Sequence, residues 1–77
     1  MNQTQNLDVL KVDKLDEKIK ESGYKSSFIY TQMGMSRNTF DLKRKGKIPF
    51  RVPEIYMLAN LLGMTEEEKL SIFYGES

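Results

Sequence analysis

Seven cations fall between residues 25 and 51: Lys25, Arg37, Lys43, Arg44, Lys45, Lys47 and Arg51. They face one acid in the same stretch, Asp41, so this segment carries a net charge of +6. Residues 1–24 carry −1, with four lysines against five acids, and residues 52–77 carry −4, with Lys69 against five glutamates. The near-neutral total of +1 therefore hides a basic middle between acidic ends. Such a chain is suited to bringing one face to a polyanion; the plainer reading of a charge run is a solvated surface. Other chemistry is scarce. With no cysteine there is no thiolate nucleophile, no disulfide and no thiolate metal ligand. With no histidine the commonest general base is missing, and zinc would need a site built from carboxylates alone. These absences argue against an enzyme, and no cofactor, metal or small-molecule ligand is expected.

Two short helix signals stand at the head of the basic segment. The first is Ser26-Ser27-Phe28-Ile29-Tyr30-Thr31-Gln32-Met33, ended by Gly34, since glycine takes a left-handed backbone at a helix C-terminus without steric cost. Ser36 can cap a second helix that begins Arg37-Asn38-Thr39-Phe40. Helix, tight glycine turn and helix make a helix-turn-helix unit, which can place its second helix in the major groove of DNA.

The remaining elements must carry that unit. The 77 residues make one domain, and a chain this short buries only about 60 % of its unfolded surface. No run approaches a membrane span of roughly 18 apolar residues. Met1 to Asn6 lacks the apolar stretch of a signal peptide, so a cytoplasmic location is expected. Residues 1–11 read as an N-terminal extension, whose Leu7, Val9 and Leu10 either pack down or extend as an arm, and residues 12–77 as a single domain. Asp13 is the expected N-cap of a first helix with Val12, Leu15 and Ile19 on one face and Gly23 at its end. Tyr24 is expected to cover the joint to the next helix. That second helix covers about Lys25 to Met33, with Ile29 and Met33 inward and Phe28 or Tyr30 beside them. The third covers about Arg37 to Lys45. Gly46 and Pro49 break the pattern, leaving Ile48, Phe50 and Val52 as anchors of an extended loop. Pro53 suits the first position of a fourth helix, whose apolar stripe is Ile55, Leu58, Ala59 and Leu62. Thr65 and Glu68 form a capping box for a fifth, with Leu70 and Phe73 inward. Ile72 and Tyr74 either cover another part of the core or stay exposed for a partner. The fold class is thus all-α, a compact bundle of five short helices. Ile19, Ile29, Met33, Met35, Phe40, Leu58 and Leu62 are the expected core, with methionines filling irregular gaps.

From Leu15 to Phe73 the chain resembles the phage-repressor-like helix-turn-helix family, the lambda repressor and Cro type, also called the xenobiotic-response-element type. The resemblance is carried by Gly23-Tyr24, Ile29, Met33-Gly34-Met35-Ser36-Arg37-Asn38-Thr39-Phe40, Lys45-Gly46-Lys47, and Glu54-Ile55 through Leu58-Ala59 to Leu62-Gly63-Met64. It is similar to small phage and prophage members found in bacteria. Two positions depart from the pattern. Tyr30 stands where a small residue is usual, so it is expected to swing outward or to splay the helices. One turn after Phe40 the chain has Lys43 and Arg44 rather than an aliphatic residue.

The resemblance implies a lambda-repressor-like DNA-binding domain with a recognition helix at about residues 36–45. Its base-contacting residues would be Arg37, Asn38, Asp41 and Leu42. Arginine can donate two bonds to guanine and asparagine can pair bidentately with adenine, which supports the first two independently. Asp41 either accepts from cytosine or pairs with Arg37 or Arg44, and the salt bridge is favoured. Leu42 either touches a thymine methyl or belongs to the core. Phosphate contacts are implied for Lys25, Ser26, Ser27, Ser36, Lys43, Arg44, Lys45, Lys47 and Arg51, the serines at 26 and 27 serving equally well as plain helix caps. The implied function is a sequence-specific transcriptional regulator, a repressor acting on double-stranded DNA at the bacterial nucleoid. A homodimer would use the C-terminal helix with Ile72, Phe73 and Tyr74. The alternative is a protein–protein interaction module that keeps the fold without DNA binding.

Overall fold

Helices in this chain start at polar caps and stop at glycines, and the structure, a computed structural model, describes residues 9–75. Five α-helices run through them: α1 Val12–Ser22, α2 Ser26–Gln32, α3 Arg37–Arg44, α4 Val52–Leu61 and α5 Glu66–Tyr74. No strand occurs among the described residues, and no helix of theirs is long and apolar enough to cross a membrane. Leu7 lies outside the described residues.

The local signals act where the sequence places them, with small shifts. α1 starts two residues early. Its N-cap is Lys11, which makes no side-chain cap bond, and Asp13 sits in the first turn. There its charge favours the positive end of the helix dipole. Ser36 caps α3 by accepting from the Thr39 N–H at 3.2 Å. Pro53 is the second residue of α4, still within the turn whose N–H groups have no helical partner. At α5 the Thr65 hydroxyl accepts from Glu68 N–H at 3.1 Å, and Thr65 N–H donates to Glu68 Oε1 at 2.8 Å. That completes a reciprocal capping box.

α1 packs against α3 and α5, α2 against α3, and α4 against α5. The core between them holds Leu15, Ile29, Met33, Phe40, Phe50, Ile55, Leu58, Leu62, Ile72 and Phe73. Phe50 and Phe73 meet edge to face with centroids 5.4 Å apart, a favoured aromatic geometry. Ile19, Met35 and Tyr30 pack against this core from the side. In the loop between α3 and α4, Phe50 is the fully buried anchor while Ile48 remains exposed. On α5, Phe73 is buried as its spacing suggests, Ile72 is buried too and so covers another part of the core, and Leu70 is only half-buried.

The two ends of the described segment are tied together. Leu10 packs on the core, Lys11 N–H donates to the Ile72 carbonyl at 2.9 Å, and Lys11 Nζ donates to Ser71 Oγ at 3.2 Å. The end of the N-terminal extension, from Val9, thus packs down. Gly75 caps α5 at φ 71°, and a Cβ there would stand 3.1 Å from Val9 Cβ, so both conformation and space call for glycine. Further along, Lys18 of α1 is paired with Glu68 of α5. The hydrogen bond from Lys18 and the one from Thr65 N–H hold the Glu68 carboxyl below its ordinary pKa. The bond to Glu68 raises Lys18 above its own.

Candidate functional site

The basic segment is organised around the connection between α2 and α3. Met33 ends α2 in a right-handed conformation, and Gly34 follows at φ 69°. Gly34 N–H then donates to Thr31 C=O at 3.1 Å and Met35 N–H to Tyr30 C=O at 2.9 Å. These two bonds are the Schellman pattern, which satisfies the last free carbonyls of α2 and reverses the chain. The end of α3 repeats it: Gly46 N–H donates to Lys43 C=O at 3.1 Å and Lys47 N–H to Leu42 C=O at 2.8 Å. The turn at Gly46 directs Lys45 and Lys47 outward, where both are exposed.

Arg37 and Asn38, in the first turn of α3, are exposed. Asp41 is partly covered and engaged on both sides: Oδ1 lies 3.2 Å from Arg44 Nη2 and Oδ2 lies 3.9 Å from Arg37 Nε. Leu42 is half-buried. Lys25, Ser26, Ser27, Lys45, Lys47 and Arg51 are exposed. Lys25 is the N-cap residue of α2 and no side chain caps that helix, so neither serine hydroxyl serves as its cap. The Ser36 hydroxyl, by contrast, is engaged: it accepts from Thr39 N–H and donates to Thr39 Oγ1 at 3.0 Å.

Two of the seven cations are not on this surface as free charges. Lys43 is 7 % exposed, and its ammonium pairs with Glu54 at the start of α4. Glu54 Oε1 also accepts the backbone N–H of Arg51 at 2.8 Å. Lys43 lies one turn after Phe40, where its aliphatic stem fills an inward position and its charge needs a partner there. Its ammonium is thus engaged within the protein rather than free for the phosphate contact expected of it. Arg44 is held by two carboxylates, Asp41 on its own helix and Asp16 on α1 at 3.2 Å, and lies over the Phe40 ring at 6.0 Å. Arg44 Nε is buried without a hydrogen-bond partner among the described residues. Nothing in the sequence marks Asp16 as part of this cluster, because it is 28 residues from Arg44. The remaining five cations, Lys25, Arg37, Lys45, Lys47 and Arg51, are exposed. Among the described residues only Arg37 of these five has an ion pair, the long contact to Asp41.

The aromatic residues divide between the two sides of α2. Tyr30 turns inward, with its ring 6.3 Å from that of Phe40. Phe28 is 42 % exposed and packs on the exposed ring of Tyr24 at 4.8 Å. On α4, Tyr56 and Met57 are exposed. Tyr56 covers the buried ammonium of Lys69 at 3.8 Å, and Glu66 meets the same ammonium at 3.0 Å.

This arrangement offers hydrogen-bond donors in fork and amide geometry from Arg37 and Asn38, and exposed positive charges on Lys25, Lys45, Lys47 and Arg51 in the same segment. Those are donors suited to planar acceptors and to phosphate oxygens. Compared with family models, with curated proteins and with solved structures, the chain matches none.

Proposed function

We propose that this chain is a sequence-specific double-stranded DNA-binding regulator of transcription, in which α2, the Gly34 turn and α3 form a lambda-repressor-like helix-turn-helix. The observation that carries the reading is the exposure of most of the basic segment's cations together with the first turn of α3. Five cations of residues 25–51 are exposed, among them Arg37 in the first turn of α3, where Asn38 also faces solvent, and α1 adds two more in Lys14 and Lys20. α3 would lie in the major groove with Arg37 and Asn38 at base edges. Lys25, Lys45, Lys47 and Arg51 would grip the phosphates on either side, giving affinity and orientation without reading sequence. A module this small covers little DNA, so two copies on a palindromic site, with half-sites about one helical turn apart, belong to the same reading. Ile72 and Phe73 are in the core, so the surface joining such copies is sought on α4, at exposed Tyr56 and Met57.

An amide NMR titration with a short random-sequence duplex, at low and then near-physiological salt, tests this reading. Shifts at Lys25 to Ser27 and from Ser36 to Arg51, reversed by salt, are expected. Shifts absent at low salt would remove the DNA reading. A second reading, a protein-interaction module on the same fold, is favoured by exposed Tyr56 and Met57. It predicts no response to duplex and a salt-insensitive response of α4 to a protein partner.

A further inference from the structure

We infer that Asp41 is a positioning residue for Arg37, and that the pair selects a guanine in the bound site; this rests on the DNA reading above. Asp41 divides its carboxylate between two arginines, Oδ1 to Arg44 Nη2 at 3.2 Å and Oδ2 toward Arg37 Nε at 3.9 Å. Arg44 is itself fixed from another helix, since its Nη1 donates to Asp16 Oδ1 of α1 at 3.2 Å. Its guanidinium rests by the ring of Phe40, which is fully buried. Four side chains of alternating charge, Asp16, Arg44, Asp41 and Arg37, thus run from α1 to the first turn of α3.

That relay changes what Asp41 does. A carboxylate with a cation at each oxygen is poorly placed to accept from the amino group of a cytosine. Arg37 is approached by Asp41 only at the Nε edge, and its side chain is 81 % exposed. Its two terminal nitrogens stay available. They form the fork that fits O6 and N7 of guanine. In water an exposed i,i+4 pair restrains a long side chain only weakly. Against a duplex, water is excluded and the same pair tightens, because the charges interact through a lower dielectric. The carboxylate then aims the guanidinium into the groove, and its charge discourages Arg37 from turning to a phosphate.

The test is selection from a library of random-sequence duplexes, followed by affinities for a selected duplex and its single-base variants. The unmodified chain is expected to select a guanine, preferred about tenfold over adenine at that position. Arg37→Ala abolishes that preference. Asp41→Asn lowers it to about threefold, while affinity for a random-sequence duplex rises about twofold because a negative charge leaves the DNA-facing side. Asp16→Asn, on α1, lowers the preference in the same direction by releasing Arg44. It carries the test if Asp41→Asn fails to show native amide dispersion. Full guanine preference in both aspartate variants overturns the relay alone, as does loss of a cytosine elsewhere in the site on Asp41→Asn. A chain that retains no duplex at low salt overturns the DNA reading and the relay with it.

Discussion

Lys43 and Gly34 show how a single side chain, or its absence, sets the surface around α3. Lys43 combines a stem that covers the core with a charge neutralised by Glu54, so its contribution is to folding. Lys43→Met keeps the stem and removes the charge. Lys43→Ala removes both and leaves a gap beside Phe40. Glu54 retains the Arg51 N–H and some access to water, so Lys43→Met is expected to cost about 1–2 kcal/mol in urea unfolding. Lys43→Ala is expected to cost about 1 kcal/mol more. On the proposed DNA face Lys43→Met leaves the salt dependence of duplex binding as it was. A shallower dependence would return Lys43 to the phosphate-contacting set. Gly34 has open space where a Cβ would be, with nothing within 4 Å, so only its φ of 69° resists substitution. Gly34→Ala is therefore expected to cost about 1 kcal/mol by the same measurement. A neutral outcome would show that the turn rearranges.

At the scale of elements, α5 depends on a capping box that also joins it to α1. Thr65→Ala removes the acceptor for Glu68 N–H and is expected to cost about 1 kcal/mol. Glu68 has a second role, since Lys18 and the Thr65 N–H hold its folded-state pKa below the ordinary value. A carboxyl with a depressed folded pKa stabilises the fold above its unfolded pKa, and that contribution fades as pH falls through the folded one. Glu68→Gln is therefore expected to lower the melting temperature at pH 7, with the gap to the unmodified chain closing as pH falls below the ordinary carboxylate range and through the folded-state pKa. A gap that stays constant across that range would assign the loss to geometry rather than charge. These caps were legible in the sequence because they join residues three apart: Ser36 with Thr39, and Thr65 with Glu68. The same holds for the five helices, since each glycine stop and apolar spacing is a local signal. What the spacing missed was decided between elements. α5 turns Ile72 rather than Leu70 fully inward because α1, α4 and the Phe50 loop jointly shape the space it fills. Tyr30 does not swing outward; it lies beside the core as its spacing with Ile29 and Met33 allowed, near Phe40, and Asp16 meets Arg44 across 28 residues. Lys43 and Glu54 are hidden from one-dimensional reading for the same reason: their types suggest surface, and only packing makes them a pair.

Across the whole molecule, internal pairing trims the charge separation that the sequence carries without removing it. The basic segment has two of its seven cations committed to internal pairs, Lys43 and Arg44. The only cation of residues 52–77, Lys69, is buried beneath Tyr56, so the glutamates there include Glu66 and Glu67 facing solvent. The five exposed cations of the basic segment are what a polyanion would meet. If four or five of them displace counterions from a duplex, log K should fall against log salt with a slope near −4. Affinity would then drop about 250-fold between 50 and 200 mM salt. Fluorescence anisotropy of a labelled duplex over that range reads the slope directly. Lys47→Ala and Arg51→Ala should each make it shallower by about 0.9, because each removes one phosphate contact. Lys69→Met should leave it unchanged, since that ammonium is buried and already has Glu66 and the Tyr56 ring as partners. A slope near −1, or one that Lys47→Ala and Arg51→Ala fail to move, would mean that the exposed cations do not act as a phosphate-binding surface. The interaction-module reading, with its contacts at Tyr56 and Met57, would then be the one left to pursue.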